Sequence, residues 1–94
     1  MDEFEWDVAK ARSNLAKHGV SFEAARLVFD DLLAIERLDS GGARAEVRFV
    51  ITGMANDVVL TVVYTERGDR IRIISARKAT KHEQEEYYRS QTAD

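Results

Sequence analysis

Cysteine and proline are both absent from this chain of 94 residues. Without cysteine there are no disulfides and no thiolate metal sites, and nothing points to an oxidising compartment. With no proline, no repeat and no Gly/Ser-rich linker, residues 1–94 read as a single domain. Long apolar runs are missing too. The longest, Val58 to Tyr64 with Thr61 inside it, falls far short of the roughly 20 residues that span a bilayer. The acidic start Met1-Asp2-Glu3-Phe4-Glu5-Trp6 lacks the apolar core of a signal peptide. The expectation is a soluble cytoplasmic protein that does not engage a membrane. Glycine-rich phosphate loops are absent, and His18 and His82 lack ligand spacing with the acids. The pairs Asp30-Asp31 and Glu85-Glu86 are adjacent, not convergent. No metal or other cofactor is expected.

What is present is an unevenly distributed charge. The chain carries −3 overall, yet from Arg67 to Lys81 six cations (Arg67, Arg70, Arg72, Arg77, Lys78, Lys81) face one acid, Asp69. That +5 segment lies in a remainder at −8. A basic strand pair on an acidic protein suggests a polyanion site or a docking face for an acidic partner.

The pattern around it predicts an α+β domain. Phe4-Glu5-Trp6 alternates like a short edge strand. Asp7 is placed to cap a helix with the stripe Val8, Ala11, Leu15 and His18, closed by Gly19. Ser21 caps a second helix burying Phe22, Ala25, Val28 and Phe29, and Asp30-Asp31 end it. Leu33 to Leu38 reads as a strand, Asp39-Ser40-Gly41-Gly42 as a loose turn, and Glu46 to Thr52 as an alternating strand. Gly53 to Asp57 is expected to turn the chain into a central strand, Val58 to Thr65. Glu66 to Asp69 is expected to form a hairpin loop before Arg70 to Ala76. A last helix, about Lys81 to Arg89, starts at a capping box of Thr80 and Glu83, with Tyr87 and Tyr88 as its large anchors. The expectation is two N-terminal helices, a four-stranded antiparallel sheet with a possible extra N-terminal edge strand, and a C-terminal helix. With those turns Thr65 faces Arg70, Val63 faces Arg72 and Arg48 faces Val63. Arg48 and Arg72 then share a cationic face with Thr61, Thr65 and Arg70. Phe49, Ile51, Leu60, Val62, Tyr64, Ile71 and Ile73 line the core face.

Three blocks resemble the BrnT family of toxins. These are Phe4-Glu5-Trp6-Asp7, Asn14 to Phe22 with Val28-Phe29-Asp30-Asp31, and Tyr64 through Thr80. The chain departs from the family at Val8 and Leu32, where proline is often found. Val8 is a first helical position, which tolerates either residue. The resemblance implies a RelE-like fold and an endoribonuclease that inhibits translation. It also implies neutralisation by a BrnA-like antitoxin carrying a ribbon-helix-helix DNA-binding region. Operator DNA would then be met only through that antitoxin.

Metal-free RNA cleavage needs a group to take the 2′-hydroxyl proton and cations to hold the anionic phosphorane. Arginine suits the second task because its planar fork gives two hydrogen bonds to phosphate and stays charged. The candidate catalytic residues are Arg77 as phosphate clamp, Arg67, Arg48, Glu66 as proton acceptor, and His18 with Lys17. Arg70, Arg72, Lys78 and Lys81 are the candidates for holding the RNA backbone. For the strand arginines the plainer reading is solvated charge, and for His18 it is packing at a helix C-terminus. The rival functional class is a non-catalytic protein whose basic face binds within an antitoxin–DNA repressor complex.

Overall fold

The alternation of apolar residues along the second half of the chain is realised as one twisted sheet. The computed structural model describes residues 3–39 and 46–92. Its strands are β1 (Glu3–Glu5), β2 (Ile35–Asp39), β3 (Arg48–Ala55), β4 (Val58–Arg67) and β5 (Arg70–Lys78), in the order β1-β5-β4-β3-β2. The helices are α1 (Val8–His18), the short α2 (Phe22–Ala25), which runs on as a 3₁₀ turn over Arg26–Asp30, and α3 (Lys81–Thr92). The α+β class is as expected. The sheet has five strands because β1 pairs parallel to β5, joined to it only at Glu3 to Glu5.

Local chemistry sets the helix ends. The Asp7 carboxylate accepts from Lys10 N–H, and Gly19, at φ 69°, sends its N–H to Leu15 O. Ser21 Oγ accepts from Ala24 N–H, while Thr80 and Glu83 form the reciprocal capping box. The buried stripe of α1 differs from the sequence reading. Val8 and Leu15 are 62% and 50% exposed, and the helix instead turns Ala11, Asn14 and His18 inward. Asn14 explains the rotation. Its amide donates to Val20 O and Ala76 O and accepts from Ala76 N–H. Ala76 lies beyond the short β1, so its outward backbone groups have no strand partner there. Asn14 supplies the missing pair and seals the edge.

Both hairpin turns are shorter than expected. Asn56 and Asp57 (φ 50° and 67°) form the β3–β4 turn, with the left-handed backbone that two-residue hairpins favour. Gly68-Asp69 alone joins β4 to β5. Gly53, expected in a turn, is a strand residue. A Cβ there would stand 2.9 Å from Ala34 Cβ and 3.0 Å from Val28 Cγ1, so its missing side chain admits the segment passing over it. From the hairpin as far as the Tyr64–Ile73 pair, and throughout β3–β4, each register is two residues from the predicted one. An even shift preserves the faces, so the predicted core side chains do point inward.

The main core lies under α1, α2 and the 3₁₀ turn. Phe22, Ala25, Val28, Val62 and Ala76 are fully buried there. A line of rings, Phe4–Phe29–Tyr64–Phe49, crosses it at centroid spacings of 5.0–5.3 Å. A smaller cluster of Val59, Ala79 and Tyr87 holds α3 against one end of the opposite face. Tyr87 is the anchor, while Tyr88 is half exposed. The turn expected at Ser40, Gly41 and Gly42 lies outside the described residues.

Candidate functional site

The opposite sheet face is only partly covered, and the site is built there row by row. Asp39, Arg48, Thr65, Arg72 and Glu5 are successive register partners across all five strands. Side chains at paired positions share a face. Arg48 and Arg72 therefore flank Thr65, as the sequence suggested with Val63 in that place. Arg67 and Arg70 form the next pair toward the hairpin end.

A β-bulge brings Arg77 to the same face. Arg72 and Arg77 are five residues apart and would point to opposite sides of a regular strand. Val63 pairs with Ser75 but Tyr64 pairs with Ile73, so Ile74 is an extra residue. Past it the parity changes, and Arg77 joins Arg70 and Arg72.

The surroundings then separate these arginines into two groups. At the open end Arg48, Arg70 and Arg72 each rest on a carboxylate. Arg72 Nη1 lies 2.8 Å from Glu5, Arg70 Nε 3.5 Å from Glu3, and Arg48 Nη2 3.1 Å from Glu46. Such partly solvated pairs are worth about 0–1 kcal/mol, so a phosphate can replace the carboxylate. Thr65 is buried between them and donates to Val47 O at 2.6 Å.

At the covered end the pairing is tighter. Arg77 donates to Glu83 through both Nη atoms, at 2.7 and 3.0 Å. Glu83 also accepts from Thr80 N–H and from buried Thr61, whose hydroxyl in turn meets Thr52 at 3.0 Å. The fork of Arg77, with its neighbours' hydrogen bonds, holds the Glu83 carboxyl down to about 2 against the pull of burial. A second tie crosses the sheet end. Asp31 accepts from Tyr87 Oη at 2.5 Å, Met54 N–H at 2.8 Å and Leu33 N–H at 2.9 Å. Burial raises the Asp31 carboxyl, but these three bonds outweigh it and leave it below its usual range. Burial and the Asp31 charge push Tyr87 up to about 12.

The other expected residues are dispersed. Glu66 pairs with Ile71 and so belongs to the helix-covered side, where it lines an open groove with Phe29, Glu36 and Tyr64. The Tyr64 hydroxyl is bonded to Glu36 there. Glu66 therefore does not share a face with Arg48, Arg70 and Arg72. Lys78 pairs with Leu60 on that same side and lines a shallow groove with Gly19. Lys17 and His18 close α1, also on that side, and Lys81 opens α3, exposed. Sequence reasoning missed Asn14, Asp31 and Glu5 as organising groups and saw Glu83 only as a cap. The Thr80-Glu83 spacing marks the cap, but nothing in it announces the arginine that Glu83 holds. Among the described residues, no three His, Asp or Glu side chains gather as a metal set.

A family model described as the ribonuclease toxin BrnT of a type II toxin–antitoxin system matches residues 6–83. The chain belongs to the BrnT family. The match takes in α1, the whole β2–β5 meander and the capping box, and it ends on Glu83, the residue that holds Arg77. Membership makes this chain a member of a ribonuclease toxin family whose type II systems pair the toxin with a protein antitoxin. No curated protein matches the sequence. Among the described residues of this BrnT chain, no helix is long and apolar enough to cross a membrane.

Proposed function

We propose that this chain is a metal-independent endoribonuclease that cleaves RNA on the open half of its sheet and thereby inhibits translation. A BrnA-like antitoxin with a ribbon-helix-helix region silences it by covering that face, and operator DNA is reached only through the antitoxin. The observation that carries the reading is the row Arg48–Thr65–Arg72 of a BrnT-family chain, at the end of the sheet face that no helix among the described residues covers. Two rigid strands hold the two guanidiniums on either side of one residue. They are positioned to donate to the non-bridging oxygens of a phosphate, where charge accumulates as the 2′-oxygen attacks. Arg67 and Arg70 continue the cationic track toward the hairpin. Glu5 and Glu46, which rest on Arg72 and Arg48, are the candidates to take the 2′-hydroxyl proton once phosphate displaces them. The 5′-oxygen then leaves, taking a proton from water, and the products are a 2′,3′-cyclic phosphate and a 5′-hydroxyl end. Arg77, expected as the clamp, acts instead through Glu83, fixing α3 beside the site. No step in this scheme uses a metal.

The deciding experiment is cleavage of naked RNA in excess chelator by the purified chain and by Arg48→Ala and Arg72→Ala. Cleavage that both variants lose is expected. Activity that needs added Mg²⁺ overturns the metal-free mechanism. Tight RNA or antitoxin binding without cleavage supports the repressor-complex reading instead.

A further inference from the structure

Beside the arginine row, on the same face, β2, β3 and α3 enclose a pocket of about 190 Å³ lined by Ile35, Arg37, Val50, Thr52, Glu83 and Glu86. Its walls are of three kinds. Ile35 and Val50 make an apolar side, and Arg37, the register partner of Val50, offers a flat cationic plane. Glu86 on α3 supplies a half-exposed carboxylate. The remaining polar groups are already engaged. Both Glu83 oxygens are held by Arg77, and the Thr52 hydroxyl is bonded to Thr61. Glu36, which precedes Arg37, sends its carboxylate to Tyr64 on the other face. Among the described residues Glu86 is shared only with exposed His82, one helical turn away at 3.5 Å.

We infer that this pocket is a guanine site that selects the nucleotide next to the phosphate held on the arginine row, an inference that rests on the ribonuclease reading. The size and the mixture of apolar wall and guanidinium plane suit one stacked base. A carboxylate is an acceptor only. Guanine is the base that presents two adjacent donors, N1–H and N2–H₂, and so fills both oxygens of Glu86. Adenine and cytosine place an acceptor beside their donor, and uracil flanks its single donor with acceptors. The spacing agrees. Rows on one face lie about 7 Å apart, so Val50 and Thr52 stand about 7 and 13 Å from the Arg48 row. A base attached to a phosphate on that row reaches into this interval.

Two measurements test the inference separately from catalysis. The first is an NMR titration of the full chain with 3′-guanylate, 3′-adenylate, 3′-cytidylate and 3′-uridylate. Guanylate is expected to move the amides of Arg37, Val50 and Thr52 at the lowest concentration, with about tenfold or greater preference that Glu86→Gln abolishes. Equal response to all four nucleotides, or guanylate shifts elsewhere, overturns the guanine site whether or not the chain cleaves RNA. The second maps cut sites on a random-sequence RNA. Cuts adjacent to guanine, with that base preference relaxed in Glu86→Gln, are expected. Unchanged base usage in Glu86→Gln and Arg37→Ala overturns it while leaving the ribonuclease reading intact.

Discussion

The two ends of one sheet face use the same side chain for different ends. At the covered end Arg77 is closed bidentately on Glu83, whose side chain is only 16% exposed and is bonded besides to Thr61 and to the α3 cap. At the open end Arg72 meets Glu5 at 2.8 Å, Arg48 meets Glu46 at 3.1 Å and Arg70 meets Glu3 at 3.5 Å, none of them a two-pronged fork on both oxygens. The difference lies in what each carboxylate does elsewhere. The Glu83 carboxylate is committed to four hydrogen bonds and cannot leave without undoing a helix start. Glu3, Glu5 and Glu46 have little else to lose. An arginine in the first setting is part of the scaffold, and one in the second is available to a phosphate.

The largest expected effect is at the open end. Arg48→Ala and Arg72→Ala should each lower RNA cleavage about 10²–10³-fold, as for removal of a donor to a developing anion. Their melting temperatures should stay within a few degrees of the parent, since partly solvated pairs add little. If Arg77→Ala alone matches that loss while the fold is fully intact by circular dichroism, the division of roles is wrong.

Next comes the covered end. Glu83→Ala removes the cap and the Arg77 pair, at a cost of about 2–3 kcal/mol. A fall in melting temperature of more than about 8 °C should follow for a domain of this size. A shift below 3 °C would show that α3 is held by Tyr87 alone.

The pH dependence sharpens the same contrast. Glu83 titrates at about 2 in the fold and near 4.5 when free. A lowered carboxyl contributes stability above 4.5 and loses it as pH falls toward 2. Tyr87, raised from 10.0 to about 12, behaves in the opposite sense. Its contribution is complete below 10 and is lost between 10 and 12. The melting-temperature gap between parent and Glu83→Gln should therefore shrink from pH 4.5 downward. A gap constant to pH 2 would deny the Arg77–Glu83 bond its stabilising role.

The smallest effect is in salt. Arg70→Ala should reduce the log–log salt slope of RNA binding by about 0.7, one phosphate contact on a single strand. Lys78→Ala, on the helix-covered side, should leave it unchanged. Equal reductions would mean that RNA wraps around the sheet edge.

Much of this was legible from residue order. Alternation identified the strands, and Asp7, Gly19, Ser21 and the Thr80–Glu83 pair marked the helix ends, because caps and pleats are read within a few residues. Both turn lengths were overestimated, yet the errors were even and the faces survived. Gly53 misled because glycine serves turns and tight packing alike, and only the neighbouring Ala34 and Val28 show which. Leu15 misled in the same way, since apolar spacing on α1 took no account of the edge that Asn14 had to seal.

By itself, then, the sequence determined an α+β class, a basic hairpin and a sheet with one apolar and one cationic face, because those depend on periods of two and on charge counted along the chain. Which arginines are available was decided in three dimensions. A single extra residue at Ile74 reverses the parity of everything after it, and so places Arg77 beside Arg72. Glu83 then captures Arg77 from a separate helix, while Glu66, inside the basic segment, is carried to the other side. Pairing between strands and the reach of side chains across them set these outcomes, and neither is encoded in local spacing.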